Sequence, residues 1–249
     1  MGMLFRRFRG RKKTSNHEID TNHWGVHKQA KVALDCAVIC AALCVVALHS
    51  GAIAQKTSPT LATVVEAERL LSDLGYWTGE VDGDFDAGSR HALVAFQKTG
   101  GRRISSRLTA EELDALRQAS RPIPREASGR HIEIDLTRQV LFIVDESGMI
   151  THILPVSSGS EQTYTNQGRN SRAHTPRGRF QIERKITGWR RSTLGLLYYP
   201  NYITGGIAIH GSPSVPARPA SHGCIRIPMF ASRAFSEMMP VGTPVLVYD

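Results

Sequence analysis

Apolar positions recur at helical spacing after residue 60 and at every second position in the last half of the chain. From Leu61 to Leu74 the apolar residues Leu61, Val64, Val65, Leu70, Leu71 and Leu74 keep a period near 3.6, which predicts a helix stopped by Gly75. A turn-rich stretch, Tyr76–Asp86, leads to a second predicted helix over Ala87–Lys98 that buries Ala92, Leu93, Ala95 and Phe96. Thr109 caps a third, through a Thr-x-x-Glu box to Glu112 ahead of Leu113 and Leu116. Two prolines in Arg121-Pro122-Ile123-Pro124-Arg125 disfavour helix, and beyond them the period changes to two. His131–Leu136, Gln139–Asp145 and Met149–Val156 read as strands, with Asp145-Glu146-Ser147-Gly148 as a hairpin turn. Arg179–Arg184, Gly206–His210 and Thr243–Tyr248 read as further strands, and Met229–Met238, ended by Pro240, as the one good helix among them. The expected architecture is a small three-helix module over residues 60–118, a stiff linker over 119–129, and a mainly β domain over 130–249, a sandwich with one covering helix.

Ahead of these elements lies a segment of different character. Residues 1–31 carry eight Lys/Arg against two acids, so most of the chain's +9 net charge sits in this tail. An apolar run over 32–54 follows it, with Cys36–Leu48 at its centre and Ala52-Ile53-Ala54 at its end. Positive charge before an apolar segment keeps the N-terminus cytoplasmic and sends the rest outward. Residues 1–31 are therefore expected to be a basic cytoplasmic tail. Residues 32–54 are either a signal sequence cleaved after Ala54 or a retained membrane anchor. Both place the remainder in the exported bacterial envelope. The other 218 residues hold 23 Lys/Arg against 20 acids, so no basic surface of the kind that binds nucleic acid is expected.

Export changes how the cysteines read. Cys36, Cys40 and Cys44 lie in the apolar run at helical spacing, where small residues suit helix packing. That leaves Cys224 alone in the exported part, a thiol with no partner of its own in an oxidising compartment. It lies in Ser221-His222-Gly223-Cys224-Ile225-Arg226, downstream of Ile209-His210-Gly211 across a proline-rich loop. An imidazole beside a thiol raises its nucleophilicity and later returns the proton to a leaving amine. His210 and His222 are both candidates, and His210 has the advantage of ending a strand, where a ring can be aimed. Two other readings are structural: a buried small Cys with a core His, or a zinc site from His210, His222 and Cys224, which lacks a fourth ligand. Asp82, Asp84 and Asp86 alternate as in a calcium loop but lack its distal Glu, so turn chemistry accounts for them.

Two resemblances follow from these residues. Leu71-Ser72-Asp73-Leu74-Gly75-Tyr76, Val81-Asp82-Gly83-Asp84-Phe85 and Ala95-Phe96-Gln97 resemble the small peptidoglycan-binding module found beside many wall enzymes. His210-Gly211 followed by Ser221-His222-Gly223-Cys224-Ile225-Arg226 resembles the catalytic motif of the YkuD-type L,D-transpeptidases. Asp135-Leu136-x-x-Gln139-x-Leu141, Pro155-Val156-Ser157-Ser158-Gly159 and Thr175-Pro176-x-Gly178-x-Phe180 agree with that family in order and spacing. The resemblance implies a β-rich catalytic fold and a cysteine acyl-enzyme. Cys224 would be the nucleophile and His210 the proton acceptor and donor, with Gly211 orienting the imidazole through its carbonyl. Ser221, His222, Gly223 and Arg226 would shape the substrate and oxyanion site, the amides of Gly223 and Cys224 being oxyanion donors. Arg226 holds a substrate carboxylate or braces the loop.

The partners so implied are peptidoglycan stem peptides as donor and acceptor, carbapenem-type β-lactams as inhibitors, and the membrane if 32–54 is retained; no metal or organic cofactor is required. Within the enzyme class, water or an anchored wall protein could replace the acceptor amine, since the Cys/His pair does not distinguish them. In a different class, residues 60–118 would hold glycan beside an inert β domain. A redox role would need a resolving cysteine outside the apolar run.

Overall fold

A computed structural model describes residues 59–127 and 129–249. The basic tail and the apolar segment over 32–54, with the anchor, the cleavage site and three of the four cysteines, lie outside the described residues. Among those described, no helix is long and apolar enough to cross a membrane.

Among the described residues three helices come first: α1 (Leu61–Asp73), α2 (Ala87–Thr99) and α3 (Ala110–Gln118). Each starts on a side-chain cap, Thr60 accepting from Thr63 N, Asp86 from Ser89 N and Thr109 from Glu112 N. Only half of the expected capping box forms at α3, because Arg102 takes the Glu112 carboxylate at 3.0 Å. The alternating aspartates serve the backbone: Asp82 accepts from Asp84 N, and Asp86 is the α2 cap.

Twelve strands and one helix follow. The first sheet runs in the order β3 (Ile150–Pro155), β2 (Val140–Val144), β1 (His131–Asp135), β12 (Pro244–Tyr248), β6 (Gly178–Gln181). The second runs β11 (Ile225–Pro228), β10 (Ile207–Ser212), β9 (Gly195–Thr204), β7 (Arg184–Lys185), with β8 (Trp189–Ser192) also on β9. A separate hairpin joins β4 (Thr163–Asn166) to β5 (Arg169–Arg172). Ile132, Ile134, Leu141, Ile143, Val245 and Val247 from the first sheet meet Ile203, Ile209, Ile225 and Ile227 from the second, and Phe235 of α4 (Met229–Met238) joins them. This is the sandwich with one covering helix.

The single strand expected over Arg179–Arg184 is two. At Ile182, whose side chain is fully buried, the chain leaves the first sheet and enters the second, so β6 and β7 belong to different sheets. Strands β4, β5, β8, β9 and β11 had no expected counterpart. Four of them are short, and β4, β5 and β8 bury none of their residues, so they carry no alternating signature.

The helical module packs on the outer face of the first sheet. Val140, Phe142 and Val144 of β2, with Ile150 and Ile153 of β3, share one core with Val64, Leu71, Leu93, Phe96 and Leu116. Its turn after α1 also adds to the sheet edge, Ile153 N donating to Gly75 O and Trp77 N to Ile153 O. The segment after α3 is equally tied down. Arg121 donates to Ile150 O and Asp73 O, and the amides of Arg125 and Glu126 donate to the fully buried Glu133 carboxylate at 2.9 and 2.7 Å. A buried carboxylate needs such donors, and here the chain between module and β domain supplies them.

Candidate active site

β10 and β11 run parallel, with Ile209 opposite Ile225 and His210 opposite Arg226. Because Ile209, Ile225 and Ile227 face the sandwich core, the alternate residues turn to the other side. Ala208 and His210 lie there from β10, Arg226 from β11, and Cys224 from the residue before β11. Cys224, half buried, packs against Leu197, Tyr202 and Ala208. His210 and Cys224 are brought to diagonal positions on one face of adjacent strands.

His210 Nδ1 lies 2.8 Å from the Gly211 carbonyl. A carbonyl only accepts, so Nδ1 carries the hydrogen and Nε2 of the neutral ring is left as the acceptor. Burial draws the imidazole down to about 4, and the Arg226 charge acts in the same direction against the Gly211 hydrogen bond. Burial likewise pushes the Cys224 thiol up, opposed by the Ala208 backbone and by Arg226. With the hydrogen on Nδ1, Nε2 is the open acceptor of the ring, and the thiol itself lies 3.7 Å from Gly206 O.

Two local features hold the ring in place. A Cβ on Gly211 would sit 2.2 Å from Ser232 Oγ, so the glycine is what lets α4 close against β10 behind His210. Opposite His210, β9 bulges: Ile209 pairs with Asn201 but Gly211 with Tyr198, and Tyr199 sits at φ 46°. Bulges bend and re-aim strands, and they are common beside active sites.

The cysteine loop is pinned from both ends. Ser221 Oγ donates to Cys224 O and accepts from Gly223 N at 2.9 Å. That bond removes the Gly223 amide from the expected oxyanion pair and leaves the Cys224 amide as its candidate donor. Gly223 sits at φ +135°, and a Cβ there would meet His174 O and Ile207 Cδ1 at 2.8 Å. Thr175 Oγ1 donates to Gly223 O at 2.7 Å and accepts from Gly159 N at 2.8 Å. Ser158 O accepts from the amides of Ala220 and Ser221, and Ser160 N donates to Ser221 O. Arg226 braces the loop through its backbone, exchanging two hydrogen bonds of 3.1 Å with Ser157, while its charge acts on His210 and Cys224. His222 is exposed, edge-on to Tyr164 with 4.6 Å between ring centres. Tyr164, Arg218, Ser221 and His222 line a polar cleft of about 260 Å³ beside the loop. His210, His222 and Cys224 do not form a metal-ligand cluster, and no other group of three such side chains does among the described residues.

Sequence reasoning gave no role to Gln139, Ser158 or Thr175, although all three stand in the motifs quoted, because their work is hydrogen bonding to loops distant in sequence. Arg184 was not singled out either. It stacks over the Tyr202 ring at 3.5 Å, in register with Tyr202 and hence with Ala208, so it shares the Cys224 face. Arg190 is on that face too, opposite Leu197. Three arginines around Cys224 and His210 suit an anionic substrate.

The described residues thus form a β-sandwich that turns one cysteine and one buried, oriented histidine to a basic face, beside a three-helix module. The family model of the L,D-transpeptidase catalytic domain (YkuD) matches residues 129–247, and that of the peptidoglycan binding domain matches residues 60–116. An L,D-transpeptidase of Xylanimonas cellulosilytica is 40% identical, with 74% of this chain and 92% of that chain covered and a TM-score of 0.71. An L,D-transpeptidase (Yku) of Stackebrandtia nassauensis is 22% identical over 74% of this chain and 90% of its own, at a TM-score of 0.44. A mutant L,D-transpeptidase of Enterococcus faecium is 25% identical over 49% and 50%, at 0.40. No curated protein matches the chain. The chain belongs to the L,D-transpeptidase family, and with it to the peptidoglycan-modifying enzymes.

Proposed function

We propose that this protein cross-links peptidoglycan stem peptides through an acyl-enzyme on Cys224. The observation that carries the reading is the His210 tautomer: Nδ1–H is held by the Gly211 carbonyl, so Nε2 is the basic nitrogen on the face that bears the only thiol of the described residues. In the first half-reaction Sγ attacks the carbonyl of the diamino-acid residue that precedes a terminal D-residue, and its proton passes to His210 Nε2. The Cys224 amide is placed to receive the developing oxyanion. As the intermediate collapses, the peptide C–N bond breaks, the imidazolium gives its proton to the departing amine, and a thioester remains. In the second half-reaction an acceptor amine attacks the thioester and passes a proton to His210. The C–S bond then breaks and the sulfur recovers that proton. Arg184, Arg190 and Arg226 offer positive charge to the carboxylates of donor and acceptor, and the helical module offers a second contact to the polymer.

The same thiol would be acylated by carbapenem-type β-lactams, whose strained amide presents an equivalent carbonyl. The protein would act at the cell envelope, outside the cytoplasmic membrane, held there by residues 32–54 or released after Ala54.

The test is to incubate the purified full chain with disaccharide-tetrapeptide and read the products by mass spectrometry, beside the Cys224→Ala variant. A cross-linked dimer lacking one terminal residue, absent in the variant, is the expected result. A tripeptide without dimer would make the acceptor water. No Cys224-dependent product would return the weight to a binding role.

A further inference from the structure

From the helical module a single cation reaches into the β domain. Lys98, in the last turn of α2, is buried at 5% exposure, and its ammonium donates to Gln139 O and Val156 O, both at 3.0 Å. An amine so enclosed is costly to bury, and desolvation lowers its pKa to about 8. Packing alone does not call for it, since Val140, Phe142, Ile150 and Ile153 already join module to sheet with apolar contacts.

What the ammonium grips is the start of a hydrogen-bonded chain to the cysteine loop. Gln139 is buried and held at φ 56°, and its carbonyl accepts from Val156 N as well as from Lys98. Its side chain grips Ser158 twice, Nε2 donating to Ser158 Oγ at 2.7 Å, as it also does to Leu136 O, and Oε1 accepting from Ser158 N at 2.8 Å. The Ser158 carbonyl then accepts from the amides of Ala220 and Ser221, each at 2.9 Å. Ser221 Oγ, last in the chain, ties Gly223 N to Cys224 O. Every link is a direct bond between buried or half-buried groups, and the low dielectric there strengthens each one.

We infer that Lys98 of the helical module is a positioning residue for the catalytic cysteine loop: by fixing the Gln139 and Val156 carbonyls it sets the Ser158 platform on which Ala220 and Ser221 rest. The module is thereby part of the catalytic machinery as well as a glycan contact. This rests on the proposed Cys224 chemistry for its consequence in rate, and on the hydrogen-bond chain alone for its consequence in loop protection, so the two are measured separately.

The experiment compares the full chain with Lys98→Met, Lys98→Arg and Leu71→Ala, the last a stability control in the same module core and remote from the chain of bonds. Amide hydrogen exchange is followed over residues 157–160 and 220–224. Cys224 acylation by a carbapenem is followed by intact mass, all at a temperature well below each melting point. Lys98→Met is expected to speed exchange of both segments and to slow acylation about tenfold or more. With the tetrapeptide, kcat falls while KM stays within about twofold. Lys98→Arg, which keeps a charged donor, restores most of the protection and rate, and Leu71→Ala lowers the melting temperature but leaves both within about twofold. Equal effects of Lys98→Met and Leu71→Ala, or no change in the two segments, would overturn the inference. Should Lys98→Met fail to fold, Lys98→Gln, whose amide still offers two N–H donors, takes its place, with effects in the same segments expected at smaller size. A parent chain that shows no Cys224-dependent reaction would sink the functional reading, while the exchange data would still decide the positioning role.

Discussion

In β2 all five residues from Val140 to Val144 are buried, Leu141 and Ile143 toward the second sheet and the other three toward the helices. In β10 Ile209 faces the core, while Ala208 and His210 face the basic surface with Cys224. The first sheet spends both faces on packing; the second keeps one face for chemistry. The sequences reflect it, an unbroken apolar run in Val140-Leu141-Phe142-Ile143-Val144 against alternation in Ile207-Ala208-Ile209-His210. The lesson is that the doubly covered sheet is the rigid part against which the open face is held. Stability and catalysis should therefore respond to different residues.

The sharpest break of that comparison is at His210. His210→Gln keeps a ring-sized polar group without a base, and acylation of Cys224 is expected to fall by about 10²- to 10⁴-fold with a melting temperature close to that of the parent, read by intact mass and calorimetry. Gly211→Ala, one residue on, should affect both sheets' roles at once. Its Cβ would collide with Ser232 Oγ at 2.2 Å, and pushing α4 away costs about 1–3 kcal/mol while it shifts the imidazole. A fully stable, fully active Gly211→Ala would show that α4 does not seat His210.

On the doubly covered side the largest change is Phe142→Ala. Removing this side chain from the core shared by β2 and the module should cost about 3–5 kcal/mol in denaturant unfolding. The carbapenem acylation rate of the folded fraction should hold, because Phe142 turns away from the second sheet.

The pH response separates the two faces in another way. His210 is pulled from 6.5 down to about 4 by burial, so the unfolded chain binds more protons than the folded one between those values. Stability supplied by this group is complete above about pH 6.5 and is lost as pH falls toward 4, by about 3 kcal/mol in order of magnitude. His210→Gln should remove this share of the slope and leave the shares of His91 and His152, whose imidazoles burial also lowers. Acylation should fall only near pH 4, where the base takes a proton, and alkylation of Cys224 by iodoacetamide should keep rising beyond pH 9, since its thiol is pushed above that ordinary value. A thiolate already formed at neutral pH would contradict the upward shift of the thiol.

Much of this was legible because periodicity reports burial. The three module helices and Met229–Met238 bury a regular stripe, β1, β2, β3 and β12 are rich in β-branched residues, and apart from β6 the expected bounds of these elements lie within a residue or two of the observed ones. The Cys/His motif was readable from residue type and order. What stayed hidden was set by distant partners. The β4–β5 hairpin has no buried stripe, the switch of sheets at Ile182 leaves a continuous strand-like sequence, and the links from Gln139 to Ser158 and from Thr175 to Gly223 join loops up to 48 residues apart. Nor does a linker with two prolines announce that its amides will satisfy a buried Glu133, or a helix ending in Lys98 that its ammonium will enter the neighbouring domain.

The smallest expected effect tests whether all module residues couple to the loop or only those in direct bonds. Thr109 caps α3 by accepting from Glu112 N at 3.2 Å, and no bond leads from it toward Gln139. Thr109→Ala should cost about 1 kcal/mol, a drop of roughly 2–4 °C in Tm for a domain of this size. Acylation of Cys224 at 25 °C should not change, nor should hydrogen exchange over residues 220–224. If the cap variant instead slowed acylation in proportion to its lost stability, the module would act on the cysteine loop through its overall rigidity, and the distinction between a packed sheet and a chemical one would have to be drawn at the boundary of the whole chain rather than at Lys98.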